Sequence, residues 1–166
     1  YILNGISQIC KKRKESYVDS SQVSIVPMSG ADKIPYFVLY LEKENLQYIA
    51  LLDNDPEGRH IEKELLDRKI AKPEKILRLD QIKGSGHDCE IEDLIDPSFY
   101  NRAVNGTYRS ILEDRGLTEI RLDDLPDVLK TTKRYEKYFQ EKGLGGFDKV
   151  IVAEQMQNMI IYGPLN

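Results

Sequence analysis

Ile49-Ala50-Leu51-Leu52-Asp53-Asn54-Asp55-Pro56-Glu57-Gly58 is the stretch on which the fold turns. The apolar run from Tyr48 to Leu52 stops abruptly on two aspartates, and a helical pattern starts at Arg59. This reads as a strand entering a turn, with two carboxylates at the strand's carboxyl end. In open parallel α/β sheets, ligands sit at that edge. Asp53 and Asp55 are two residues apart, so an extended backbone sends both side chains the same way. Two hard oxygen donors held on a strand end suit a divalent cation such as Mg²⁺ or Mn²⁺. Without a cation or a proton they repel each other. The same residues also make a good turn. Asp and Asn form local side-chain turns, Pro56 suits the first turn of a helix, and Asp55 suits its N-cap. The D-x-D-x-x-G pattern is short enough to leave both readings open, and its surroundings must separate them.

Working outward, the chain alternates short apolar runs with helical patterns. Val23-Ser24-Ile25-Val26 reads as a strand stopped by Pro27, and residues 33–43 as a helix with Ile34, Phe37, Val38 and Leu41 on one face. Gln47–Leu52 is the next strand, and residues 57–68 form a helix that buries Ile61, Leu65 and Leu66. Lys75–Leu79 is a further strand. This β-α-β-α-β order predicts a parallel sheet with right-handed crossovers. Such short strands read as buried on both faces. Beyond Pro97 the pattern turns helical, with helices predicted over 97–115 and 127–142 and a last one ending near Tyr162. Tyr1 to Cys10 has helical spacing and closes on Lys11-Lys12-Arg13-Lys14, a basic run that complements a helix C-terminus. The ten tyrosines lie largely on helix faces and read as packing residues.

The 166 residues suffice for one domain with a real core. Hydrophobic content of 40% and charged content of 31% describe an ordinary globular chain. A net charge of −4 gives no general attraction to nucleic acid, so any such binding needs a local basic patch or a metal at the acids. Cys10 and Cys89 are too few for a disulfide framework or a zinc site. A reduced, cytoplasmic setting is the default expectation. No apolar run reaches membrane-spanning length, so no membrane partner is expected.

Three features converge. Asp53-x-Asp55-x-x-Gly58 follows one strand. Glu90-Ile91-Glu92-Asp93 lies one strand further on. Ser29-Gly30 opens a helix whose amides could face an anion. In a parallel sheet these loops share an edge. The chain here resembles a Toprim domain, specifically that of OLD-family nucleases. The resemblance rests on L-L-D-N-D-P-E-G (Leu51 to Gly58), E-I-E-D-L-I-D (Glu90 to Asp96) and V-P-M-S-G (Val26 to Gly30), with weaker support from F-D-K-V-I-V-A (Phe147 to Ala153).

The resemblance implies an α/β fold, a parallel sheet of about four strands flanked by helices, with extra C-terminal helices. It implies a single domain over residues 1–166, with residues 97–146 as a helical insertion. The implied activity is divalent-metal-dependent cleavage or nicking of DNA, with an ABC-type ATPase domain upstream in a longer chain; a homo-oligomer is compatible with it. The family's first motif is a glutamate ending the first strand. Tyr1 to Asn4 already matches the following helix, so that strand and its glutamate are expected upstream of Tyr1. On this resemblance Asp53 and Asp55 hold Mg²⁺ or Mn²⁺. Glu92, with Glu90 or Asp93 in support, completes that site or bridges to a second ion. Lys149 neutralises charge on the phosphate, a surface lysine before a helix being the equal alternative. Glu90 and Glu92 share a side if extended, and Asp93 takes the other; a helix would rearrange them. His87 and His60 read as loop and helix residues without a chemical role.

Two other enzyme classes place aspartates on strand ends. Haloacid-dehalogenase-type phosphoryl transferases carry D-x-D on their first strand, whereas strand-type segments here precede Asp53. Response-regulator receivers need an acidic pair after the first strand, which is not seen. The non-enzyme alternative is a Toprim-like module that binds DNA or a partner without cutting.

Overall fold

The computed structural model describes residues 1–28, 30–84 and 86–163, with the side chain of Lys83 excepted. Ser29 of the expected anion-facing loop and Ser85 of the Gly-Ser-Gly loop lie outside the described residues. The chain divides into two compact units, Tyr1–Ser24 with Ile95–Asn166, and Ile25–Leu94.

The unit Ile25–Leu94 carries the sheet. A 3-10 turn (Ala31–Lys33) leads into helix α2 (Ile34–Lys43), and strand β1 (Ala50–Leu52) follows. Helix α3 (Pro56–Asp67) crosses to strand β2 (Ile76–Arg78), which runs directly into the short helix α4 (Leu79–Lys83). The strands pair in parallel, Ala50 opposite Ile76, Leu51 opposite Leu77 and Leu52 opposite Arg78. Val38, Leu52, Ile61, Leu65, Ile70, Ala71 and Ile76 form the core. The spacing Ile61–Leu65 explains why α3 docks: residues four apart share one helix face.

Four strands are not found. Among the described residues the sheet has two, each three residues long. Val23–Val26, predicted as a strand, forms no ladder, and Val23 and Val26 are about half exposed at 51% and 54%. A β-branched run becomes a strand only where a neighbour accepts its backbone groups, and Pro27 removes one donor directly after it. Burial on both faces also fails for β1, where Leu52 is buried but Leu51 is 36% exposed. The fold is mixed α/β and mostly helical.

Polar contacts fasten the sheet to its helices. The Glu42 carboxylate at the end of α2 accepts from Lys75 Nζ at 2.7 Å and from Tyr48 Oη at 2.6 Å, and the Lys75 ammonium lies over the Tyr48 ring. Arg78 forks onto Asp80 with Nε and Nη2, both at 2.8 Å, and its Nη1 reaches Glu62 on α3. One guanidinium thus joins the end of β2 to the helix that covers it.

In the other unit helix α1 (Ile2–Lys12) packs along helix α8 (Lys149–Tyr162). Gly5 permits the approach, since a Cβ there would sit 2.9 Å from Ile160 Cδ1. Lys12 Nζ then donates to the Ile160 carbonyl at 3.0 Å, satisfying an open carbonyl in the last turn of α8. The helix predicted over 97–115 is two helices, α5 (Pro97–Thr107) and α6 (Arg109–Asp114), separated at Tyr108. Helix α7 (Thr131–Lys142) starts later than Pro126 suggested and ends on Gly143, left-handed at φ 62°. Tyr100, Tyr108, Tyr135, Tyr138 and Phe139 are buried, and Phe147 stacks on Tyr135 with ring centres 5.5 Å apart. Asn105 exchanges two hydrogen bonds with the Ile120 backbone, at 2.7 and 3.0 Å, which pins the loop after α6. No helix among the described residues is long and apolar enough to cross a membrane.

The ion pairs set a pH dependence. Hydrogen bonds from Lys75 and then Tyr48 hold the Glu42 carboxyl below its ordinary range, and the Arg78 fork does the same for Asp80. A carboxyl depressed in the folded state stabilises the fold above its unfolded pKa, and that contribution is lost as pH falls through the folded value. Amide exchange at β1 and β2 should therefore accelerate as pH is lowered below about 4, after correction for intrinsic exchange. Glu42→Gln should weaken β1 and β2 at pH 7 and flatten this acid loss. An acid loss of unchanged size in Glu42→Gln would remove Glu42 from the account.

Candidate functional site

The carboxyl end of β1 continues in extended form through the aspartates. Asp53 is exposed, Asn54 is buried at 3% exposure and Asp55 is half-buried. This alternation is that of an extended segment with one inner residue. Asp55 keeps extended dihedrals (φ −140°, ψ 177°), and its Oδ1 accepts from Gly58 N at 2.8 Å. It is the N-cap of α3, with Pro56 in the first turn. The turn reading of the motif holds at Asp55, which follows β1 in extended conformation and starts the helix.

Gly58 is required by space. A Cβ there would run into the carbonyl oxygen of Asp53. The first turn of α3 folds back over the strand end, and only a residue without a side chain lets the Asp53 backbone lie that close.

The side chain between the aspartates does the fastening. Asn54 forms an isolated antiparallel bridge with Cys89, its N–H donating to the Cys89 carbonyl at 3.0 Å and Cys89 N–H donating back at 2.8 Å. Its Nδ2 donates to the His87 carbonyl at 2.8 Å, and its Oδ1 accepts from Arg59 Nη1 at 3.2 Å. The same Nη1 donates to Asp88 Oδ1 at 2.8 Å. Residues 87–89 are thus stitched to the strand end, and Cys89 is buried directly before Glu90.

The acidic segment is neither strand nor α-helix. Ile91–Leu94 is a 3-10 turn. Asp93 closes it: its Oδ2 accepts from Glu90 N at 2.8 Å and its N–H donates to the Glu90 carbonyl at 3.0 Å. Glu92 and Glu90 are buried, at 4% and 9% exposure. Asp53, Asp55, Glu90, Glu92 and Asp93 all belong to the unit Ile25–Leu94. Lys149 belongs to the other unit, where it is exposed at the first position of α8, directly after the N-cap Asp148. His87 contributes its carbonyl to the turn, and His60 is exposed on α3.

Sequence reasoning missed Asn54, Arg59 and Asp88. Asn54 was visible in principle, because the alternation that sends Asp53 and Asp55 one way sends the residue between them inward. Arg59 and Asp88 gave no local signal, since they are 29 residues apart and meet only in the fold.

Among the described residues no group of three or more His, Cys, Asp or Glu side chains is placed to hold a metal ion. What the strand end offers is a pair of carboxylates. Mg²⁺ is commonly held by one or two carboxylates together with waters and substrate phosphate. The donor chemistry therefore fits a partly hydrated ion shared with a phosphate, and does not form a protein cage.

Residues 5–55 match the family model for the overcoming lysogenization defect protein-like TOPRIM domain. The match includes most of α1, all of α2 and β1, and both aspartates, ending on Asp55. The Toprim resemblance read from the sequence is borne out over this segment. No curated protein and no solved structure matches the chain.

Two substitutions test the architecture of the turn. Gly58→Ala is expected to destabilise by about 3 kcal/mol, because backbone must move to admit the methyl group. Asn54→Ala should cost about 1–3 kcal/mol by removing the buried amide that joins the His87 carbonyl to Arg59. Urea unfolding measures both. Stability changes within about 0.5 kcal/mol of zero for either would mean that the turn is not packed in this way.

Proposed function

We propose that this chain, whose residues 5–55 match the OLD-like TOPRIM model, is a nuclease-type catalytic domain that nicks or cleaves DNA with a divalent metal. One observation carries the reading: Asp53 and Asp55 stand at the carboxyl end of a parallel strand, on a turn fixed by the buried Asn54 side chain. That is the ligand edge of a parallel sheet. Mg²⁺ or Mn²⁺ bound there with a substrate phosphate would supply the positive charge that stabilises the transition state.

The chain's own residues orient that chemistry. Asp55 has one oxygen held by the Gly58 amide, which fixes its plane at the start of α3. Asp53, exposed beside it, completes the pair facing solvent. In this proposal Glu90, Glu92 and Asp93 support the acidic edge, with Asp93 shaping the turn that carries the two glutamates. The third essential carboxylate is the glutamate expected upstream of Tyr1, residues 1–166 form the Toprim-like domain with 97–146 as its helical insertion, and an ABC-type ATPase domain is the expected neighbour. The setting proposed is cytoplasmic.

The alternative is a Toprim-like module that binds DNA or a partner through the same strand end without cutting.

Plasmid relaxation separates the two. The domain, expressed with its native flanking sequence, should convert supercoiled DNA to open circle in millimolar Mn²⁺, and Asp55→Ala should lower the rate at least about a hundredfold, as loss of a key electrostatic group does. Mn²⁺ should also raise the melting temperature by mass action, and Asp53→Asn with Asp55→Asn should lose that shift. DNA binding without nicking would select the binding module. A melting shift that survives the double substitution would place the metal elsewhere.

A further inference from the structure

The strand end is strongly acidic, yet a phosphodiester must approach it, so a cation within the same unit is the chemistry to look for. Lys149 belongs to the other unit. Arg59 belongs to this one. It lies in the first turns of α3, four residues after Asp55, and its guanidinium is fixed at Asn54, the residue between the aspartates. Arginine carries five N–H donors. Nη1 directs its two at Asn54 Oδ1 and Asp88 Oδ1. Among the described residues Nε and Nη2 make no hydrogen bond or ion pair. The side chain is 42% exposed and that of Asp88 37%. An ion pair this exposed contributes little to stability, so holding Arg59 in place is a weak reason for the pair to exist. A guanidinium with one edge locked and the other open has the fork geometry that phosphate oxygens accept.

We propose that Arg59 is a phosphate-contacting residue of this site, and that Asp88 is the internal counter-ion with which a DNA phosphate competes for it. The inference rests on the DNA reading above and adds a substrate ligand to it. Arg59 is held so that its Nε–Nη2 edge meets a non-bridging phosphate oxygen. Asp88 aims the guanidinium and lowers its effective charge until DNA is bound.

The two partners then act in opposite directions, which a clamp with no role beyond structure would not do. Binding of a fluorescent DNA duplex is measured in Ca²⁺ over a range of salt concentrations, for the chain and for Arg59→Gln, Arg59→Lys and Asp88→Asn. Circular dichroism confirms folding of each. Arg59→Gln should weaken binding about tenfold and lower the slope of log affinity against log salt by about one. Arg59→Lys should keep that slope. Asp88→Asn should tighten binding about threefold, the scale of releasing one exposed pair. If Arg59→Gln leaves the slope unchanged, or if Asp88→Asn weakens binding as Arg59→Gln does, Arg59 is a clamp only and the proposal is overturned while the DNA reading stands. If the unsubstituted chain shows no salt-dependent binding to DNA, both fall together.

Discussion

A primary amide buried at a strand end dictates the local architecture of this molecule. Asn54 has no water to turn to at 3% exposure, and an unpaired amide there would be costly. It spends its donor on the His87 carbonyl and its acceptor on Arg59, while its backbone pairs with Cys89. A two-stranded sheet of three residues per strand cannot by itself determine where a loop some 35 residues later will lie. The hydrogen bonds of Asn54 do so, and among the described residues they bring the acidic 3-10 turn to the sheet region without a further strand. Gly58 completes the constraint from the other side by letting α3 press on the Asp53 carbonyl.

The helices and the motif were legible in the sequence for identifiable reasons. The α3 face of Ile61 and Leu65 has helical spacing, and Asp55-Pro56 is a helix start that needs no tertiary help. β1 and β2 were legible as apolar runs bounded by turn residues. The extent of the sheet was not. Val23–Val26 has strand composition, but composition says nothing about whether a partner offers it backbone groups, and in the fold none does among the described residues. The break at Tyr108 was equally hidden, since residues 97–115 keep helical spacing while Tyr108 is drawn into an aromatic cluster whose Oη accepts from Asp148 N–H at 2.7 Å. At the site, the aspartate pair was plain from spacing alone. The form of Glu90 to Asp93 was not, because a run of alternating acids is compatible with strand, helix or turn until Asp93 is seen to close on Glu90.

The two units solve different physical problems. The sheet-bearing unit is laced with charge: Arg78, Glu62 and Asp80 in one group, Glu42, Lys75 and Tyr48 in another. The helical unit relies on apolar and aromatic contact, with Tyr108, Tyr135 and Phe139 arranged around Phe147 at ring separations of 5.3 to 5.9 Å. Acid or salt therefore acts mainly on the first of these, and loss of packing volume mainly on the second.

The seat of α1 on α8 also has a temporal side. Lys12 and Ile160 are 148 residues apart, so α1 leaves the ribosome long before the surface that receives it has been made. At ordinary rates of synthesis the delay is about 7 to 30 seconds. During that interval Ile2 and the rest of the apolar stripe of α1 have no mate, whereas every core residue of Ile25–Leu94 has already emerged. The sheet-bearing unit can close during translation, while the helical unit must wait for α8. The nascent chain thus carries an uncovered amphipathic helix ahead of the sheet-bearing unit, and a nascent-chain chaperone would find it there.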